Sequence, residues 1–240
     1  MPRLYLDLPL ASGAALSLPE DAARHVQVLR LQPGDALTVF DGRGGEYAAT
    51  VTHMGKRTVE IAVGDHTVVE RESPLEIILV QAIAAAERMD YAIQKATELG
   101  VTRIVPVNSA YTQGRMAGER AEKRRAHWQG VAAAACEQSG RTRVPDIALV
   151  QDLPTLLATP PSVELKLLLS PRGTATLATL PTKATGIALL VGPEGGLSPD
   201  EEASAIAAGW TGLALGPRVL RTETAGATLI ALLQARYGDF

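Results

Sequence analysis

LEIILVQAIAAAERMDYAIQKATELGVTRIVPV, Leu75 to Val107, decides the fold class. Its first nine residues form a largely apolar run, the pattern of a strand buried on both faces. ERMDYAIQKATELG then reads as an amphipathic helix that Gly100 is placed to end. VTRIVPV returns to strand. A strand, a helix and a second strand imply parallel pairing, and the pattern recurs downstream. PDIALV, VELKLLLS, TGIALLVG and TGLALG read as further buried strands. GERAEKRRAHWQGVAAAACEQSG reads as a long helix ending near Gly140, and TAGATLIALLQARYG as the last helix. The expected fold class is α/β, with a mostly parallel sheet covered on both faces.

Upstream the texture differs. RLYLDL, ALTVFDG, EYAATVTHMG and TVEIAVGD are short alternating runs bounded by Gly, Asp and Pro, as expected of strands. One helix, EDAARHVQVLR, interrupts them, followed by the turn Gln32-Pro33-Gly34-Asp35. This predicts a small β-barrel with one helix over residues 1–70. RESP, Arg71 to Pro74, marks the boundary to a second domain over 74–240.

The chain has 240 residues, 46% of them apolar, which excludes disorder and fibrous classes. Its one cysteine, Cys136, excludes an intrachain disulfide and suits a reducing compartment. MPRLYLDLPL lacks the apolar run of a signal peptide, and no stretch nears the ~18 apolar residues that span a bilayer. The expectation is a soluble cytoplasmic protein. Net charge is −3. Between Arg103 and Arg143, however, eight bases face three acids. Such a surplus suits a polyanion and equally suits a solvated helix face.

Ligands of open α/β sheets bind in loops after the carboxyl ends of strands. Three such loops stand out. LLLSPRG ends in Ser170-Pro171-Arg172, which reads as a site or as a plain turn. LLVGPEGGLSPDEEASA places Gly192, Gly195 and Gly196 within five residues, so the backbone can approach a ligand closely. Ser198, Pro199 and Glu201 then spell a capping box opening a helix. Neither common nucleotide fingerprint is present. Asp200, Glu201 and Glu202 favour a neutral or cationic ligand over an anion. In LALGPRVLRTETAGATLIALL, Gly216-Pro217 breaks the strand before Arg218, Arg221 and Glu223. Those charges read as an internal Arg–Glu pair or as a site. His25, His53, His66 and His127 lack metal-ligand spacing, so no metal is expected. Cys136, on a helix without a partner, reads as a small buried apolar residue.

GPEGGLSPDE together with LGPRVLRTETA resembles the RsmE-type methyltransferases, which methylate N3 of a uridine in 16S ribosomal RNA of the small subunit. HVQVLR, RESPLEI, IQKATELGV, ACEQSGRTRVP, the SPR turn and ARYGD extend the resemblance over nearly the whole chain. It implies a SPOUT-type α/β domain with a deep carboxyl-terminal trefoil knot and an amino-terminal PUA-like β-barrel. It also implies a homodimer and S-adenosylmethionine as methyl donor, leaving S-adenosylhomocysteine. Carried onto this chain, the cofactor loops match Leu168, Leu169 and Ser170; Gly192, Pro193, Gly195, Gly196 and Leu197; and Leu215, Gly216, Pro217 and Leu220.

Uracil N3 keeps its proton at neutral pH, so the resemblance asks for alignment and for stabilisation of a developing anion. Arg221 suits the anion. Glu223 or Glu194 would accept the proton, or Glu223 would only orient Arg221. Arg218 and Arg172 would hold RNA phosphate or the loop. The target base must be splayed out to react. Arg115, Arg124, Arg125, Arg141 and Arg143 are the expected phosphate contacts. The barrel has six bases against eight acids up to Val69, so it would use placed residues such as Arg3, Arg24, His25 and Arg30. The competing functions are a non-catalytic RNA-binding or ribosome assembly factor, against which Arg221, Glu223 and the full Gly-rich loop weigh, and methylation of another RNA such as transfer RNA.

Overall fold

The computed structural model describes residues 1–240, which form two compact units. The first holds Met1–Glu72 and Ala133–Val144. The second holds Ser73–Ala132 and Pro145–Phe240. The first break falls inside RESP. Residues 133–144 join the first unit, to which long-range polar bonds that no local pattern reveals tie them. Arg3 donates to the carbonyls of Gly140 and Arg141, at 3.3 and 3.1 Å, and the Tyr5 N–H donates to the Glu137 carboxylate at 2.7 Å.

In the first unit the strands are β1 (Arg3–Tyr5), β2 (Ala15–Ser17), β3 (Ala36–Phe40), β4 (Glu46–Met54) and β5 (Val59–Thr67), with helix α1 (Glu20–Val28) after β2. They form one mixed sheet in the order β1-β3-β4-β5-β2. Only the β1–β3 pairing is parallel. Period-2 alternation turns Val59, Ile61 and Val63 of β5 inward against Leu37, Val39, Ala49 and Val51, and Ala23 and Val26 of α1 close the cluster. Strand β2 is absent from the sequence reading, since three residues carry too little alternation to register. Helix α1 ends on a Schellman motif: Arg30 N–H bonds to the Gln27 carbonyl and Leu31 N–H to that of Val26. Arg30 thus holds φ +58°, a position glycine usually fills.

The second unit contains β6 (Glu76–Ala82), α2 (Ala86–Glu98), β7 (Arg103–Asn108), most of α3 (Gly118–Ser139), β8 (Asp146–Ile147), β9 (Gln151–Asp152), α4 (Leu153–Ala158), β10 (Leu165–Leu169), β11 (Gly186–Val191), α5 (Pro199–Ala207), β12 (Thr211–Leu213) and α6 (Thr222–Tyr237). Every pairing in the sheet β12-β10-β11-β6-β7-β8 is parallel, and β9 also pairs with β7. Even-numbered residues of β6, Ile78, Val80 and Ala82, join Leu168, Leu190, Leu156 and Ala205 in one apolar layer. The odd-numbered face lies beneath α6, where Leu79, Gln81 and Val191 approach Gly226. Two expected strands are shorter than read. PDIALV is extended only at Asp146–Ile147, and TGLALG stops at Leu213 as the chain leaves the sheet. No helix is long and apolar enough to cross a membrane.

Two expected RNA contacts are corrected by burial. Arg141 is 4% exposed, and its Nε donates to both carboxylate oxygens of Glu72, at 3.2 and 3.0 Å. Arg3 is enclosed too, paired with Glu46. Burial alone would raise the Glu46 carboxyl, but Arg3 and Arg71 outweigh it and hold that carboxyl below its ordinary range. Replacing Arg141 by Ala leaves the largely enclosed Glu72 carboxylate without its partner, so we expect a loss of about 3 kcal/mol in denaturant unfolding. A stability within ~1 kcal/mol of wild type would restore Arg141 as a surface contact. Burial pushes the Cys136 thiol up to about 12. The native protein at pH 8 should therefore resist thiol alkylation, and the unfolded chain should react.

Candidate functional site

Strands β12, β10 and β11 lie side by side, so their carboxyl ends open at the same edge. The strand ends and the loops that follow them line one cleft, with Leu169, Ser170 and Pro171 at the end of β10 and Val191, Gly192, Pro193, Glu194 and Gly196 at the end of β11. Leu213, Leu215, Gly216, Arg218, Val219, Leu220 and Arg221 lead from β12 to Thr222 and Ala225 of α6. Arg88, in the first turn of α2, completes the lining.

The segments around the ends of β10 and β12 are bonded to one another. Ser170 N–H donates to the Leu213 carbonyl at 3.1 Å, Ala175 N–H to Gly212 and Ala214 N–H to Ala175, both at 3.0 Å. A Cβ on Gly173 would stand 2.6 Å from backbone atoms of Leu213. A Cβ on Gly192 would stand 2.9 Å from the Gly196 carbonyl carbon. Both positions therefore need glycine for close backbone approach.

The acidic start of α5 is engaged elsewhere. Ser198 and Glu201 complete the capping box, with Ser198 Oγ accepting from Glu201 N–H at 3.2 Å and Glu201 Oε2 accepting from Ser198 N–H at 2.9 Å. Glu201 Oε1 also accepts from the Ala110 N–H. Glu202 accepts from Ser170 Oγ at 3.0 Å and pairs with Arg172 at 2.9 Å. The hydrogen bond and charge of Glu202 raise the Arg172 guanidinium above its ordinary range. The expected charge complement at this helix start thus binds the SPR turn instead of facing the cleft. Glu194 is the cleft's one carboxylate. Its Oε1 accepts from the Ala85 N–H at 2.9 Å and pairs with Arg88 at 3.2 Å, while Oε2 makes no hydrogen bond.

Of the residues expected at the cofactor, Leu169, Ser170, Gly192, Pro193, Gly196, Leu215, Gly216 and Leu220 line the cleft. Leu168 is buried in the apolar layer beneath, with Leu197. Gly195 stands under the Tyr111 ring, and Pro217 is exposed outside the lining. Arg218, Arg221 and Glu194 are on the lining and Glu223 is not. No ion pair joins Arg221 to Glu223, and Glu223 Oε2 is buried without a hydrogen-bond partner. Arg88, Tyr111 and Thr222 were missed because nothing local marks them. Gln81 did carry a signal, as a polar residue inside the apolar run LEIILVQAI. No group of three or more His, Cys, Asp or Glu is placed to hold a metal.

The expected phosphate contacts separate into engaged and free cations. Arg115 pairs with Asp152, Arg125 with Asp146, and Arg143 with Glu70. On α3, by contrast, Arg120, Lys123 and Arg124 line a shallow groove with Glu119 and His127. None of these three cations has an ion-pair partner. In the first unit Arg24, paired with Glu20, shares a groove with Lys56 and Arg57, which sequence reading left out. His25 lies 3.8 Å from Glu137, and Arg30 is exposed.

A family model described as RNA methyltransferase domain matches residues 71–234, and one described as RNA methyltransferase PUA domain matches residues 18–64. A ribosomal RNA small subunit methyltransferase E of Buchnera aphidicola is 33% identical over 100% of this chain and 98% of its own length. A ribosomal RNA small subunit methyltransferase E of Neisseria gonorrhoeae, solved bound to S-adenosylmethionine, is 41% identical with a TM-score of 0.95, covering 100% of this chain and 99% of that one. A Legionella pneumophila methyltransferase solved with the same cofactor is 37% identical, also with a TM-score of 0.95, covering 99% and 98%. The expected SPOUT-type α/β domain preceded by a PUA-like domain is borne out. With full-length similarity and both family models in register, the chain belongs to the ribosomal RNA small subunit methyltransferase E family.

Proposed function

We propose that this protein transfers a methyl group from S-adenosylmethionine to small-subunit ribosomal RNA, at N3 of a uridine. The observation that carries the reading is the convergence of the loops after β10, β11 and β12 on one cleft. Its residues fit the cofactor. Leu169, Val191, Leu213, Leu215 and Leu220 supply apolar walls for a purine, and Gly192 and Gly196 let backbone groups stand close. When bound, the cofactor supplies a methyl on a cationic sulfur that departs as a neutral thioether.

The chain's own residues have two tasks beyond holding the donor. The uracil must lose its N3 proton, and the resulting anion must be stabilised. Arg221 heads α6 with an exposed, unpaired guanidinium on the cleft, so its rigid fork of donors is available to the developing anion. Glu194 holds its Oε1 on α2 and presents Oε2 unengaged, which suits it to accept the proton. Arg218 stands beside them for a neighbouring phosphate. The orienting role for Glu223 lacks a contact to act through.

RNA docking rests on Arg120, Lys123 and Arg124 of α3 and, separately, on Arg24, Lys56 and Arg57 of one groove of the PUA-like unit, with exposed Arg30. The reading includes a homodimer working in the cytoplasm on 16S ribosomal RNA or the small subunit assembled around it. It also includes a knotted chain path, supported by the close passage of Gly173 against Leu213.

Arg221→Ala should abolish methyl transfer to small-subunit RNA while calorimetric binding of S-adenosylmethionine persists. Near wild-type turnover would remove Arg221 from the chemistry, and methylation of transfer RNA in preference would replace the substrate. Converting Arg120, Lys123 and Arg124 together to Ala should weaken RNA binding uniformly. It should also lower the slope of log K against log salt by about 2–3, at ~0.7–0.9 per phosphate contact. An unchanged slope would move the docking surface off α3.

A further inference from the structure

Gln81 is 1% exposed at the end of β6, surrounded by apolar strand residues. Its Nε2 donates to the Ala82 carbonyl at 2.9 Å and to Thr222 Oγ1 at 2.9 Å. Its Oε1 has no hydrogen-bond partner. An amide buried with one acceptor unsatisfied costs stability that an apolar residue would not, so its retention points to what the amide orients.

The polarity of this network is unambiguous. A backbone carbonyl only accepts, so the nitrogen of the amide, and not its oxygen, must face Ala82. The same nitrogen then donates its second proton to Thr222 Oγ1. Thr222 therefore sends its own hydroxyl proton onward, to the Gly192 carbonyl 2.6 Å away. Gly192 opens the Gly-rich loop, and Thr222 is the first residue of α6, directly after Arg221. One buried relay thus joins the end of β6, the start of α6 and the first residue of the loop after β11.

We infer that Gln81 and Thr222 are positioning residues that hold the Gly192 carbonyl and the start of α6 in the conformation that accepts S-adenosylmethionine. The inference rests on the reading of the cleft as the cofactor site. Gln81 is not on the cleft lining; it acts through the Thr222 hydroxyl. Thr222 lies on the cleft wall, yet its hydroxyl is committed to Gly192. The relay is a unit, so removing either end should undo the same arrangement.

The test is a double-mutant cycle read by isothermal calorimetry of S-adenosylmethionine on the full-length protein, with thermal unfolding recorded for each variant. Thr222→Val keeps shape and loses the hydroxyl; Gln81→Met keeps length and loses the donor. Each should weaken binding about tenfold, the ~1.4 kcal/mol expected of one hydrogen bond, and the double variant should be no weaker than either single. Thr222→Ser, which restores the hydroxyl, should bind within about threefold of wild type by the same arithmetic. Additive losses, a Ser variant as weak as the Val variant, or affinities unchanged from wild type would each overturn the relay while leaving the cleft assignment standing. A wild-type protein that fails to bind S-adenosylmethionine would overturn the cleft assignment and the relay together.

Discussion

Parallel hydrogen bonding of β10 to β12 on one side and to β11 on the other is the constraint on which the site depends. Three parallel neighbours must end at the same edge, so the segments leaving them have no choice but to share space. Their backbones bond to one another there, from Ser170 to Leu213 and from Ala175 to Gly212. Side chains then matter less than their absence: Gly173 lets two main chains pass, and Gly192 lets its own loop fold back on itself, where a methyl group would collide. A cleft built this way presents peptide groups and leucines, which suits an uncharged heterocycle better than a phosphate.

The charged residues around the cleft divide according to whether they are spent. Glu201 and Glu202 are consumed in fastening α5 to adjacent loops, and Arg172 is held by Glu202. Arg88 restrains one oxygen of Glu194. What remains unpaired on the lining is Arg218, Arg221 and the second oxygen of Glu194. The same sorting applies on the wider surface, where Arg120, Lys123 and Arg124 of α3 stay free and Arg115, Arg125 and Arg143 are tied down.

Much of this was legible in the residues themselves. Continuous apolar runs announced buried parallel strands, glycines and prolines marked where they break, and Ser198 with Glu201 spelled the start of α5 correctly. Pairing is what stayed hidden. Nothing near Arg141 in sequence shows that Glu72, 69 positions away, neutralises it, so a local count of bases overstated the polyanion surface. The attachment of residues 133–144 to the first unit rests on the same kind of distant contact. Very short strands such as Ala15–Ser17 lack enough alternation to be read, although register with β5 defines them well. Gln81 is the instructive case: visible as an oddity in an apolar strand, but meaningless until Thr222 is placed beside it.

The chain's lone sulfhydryl sits in the interior, with its sulfur turned toward the Arg143 carbonyl. A cysteine introduced at exposed Val219, on the rim of the cleft, would consequently be the sole handle for a maleimide dye. Fluorescence from that one spot could follow a ligand entering the groove without first stripping the protein of competing labelling sites.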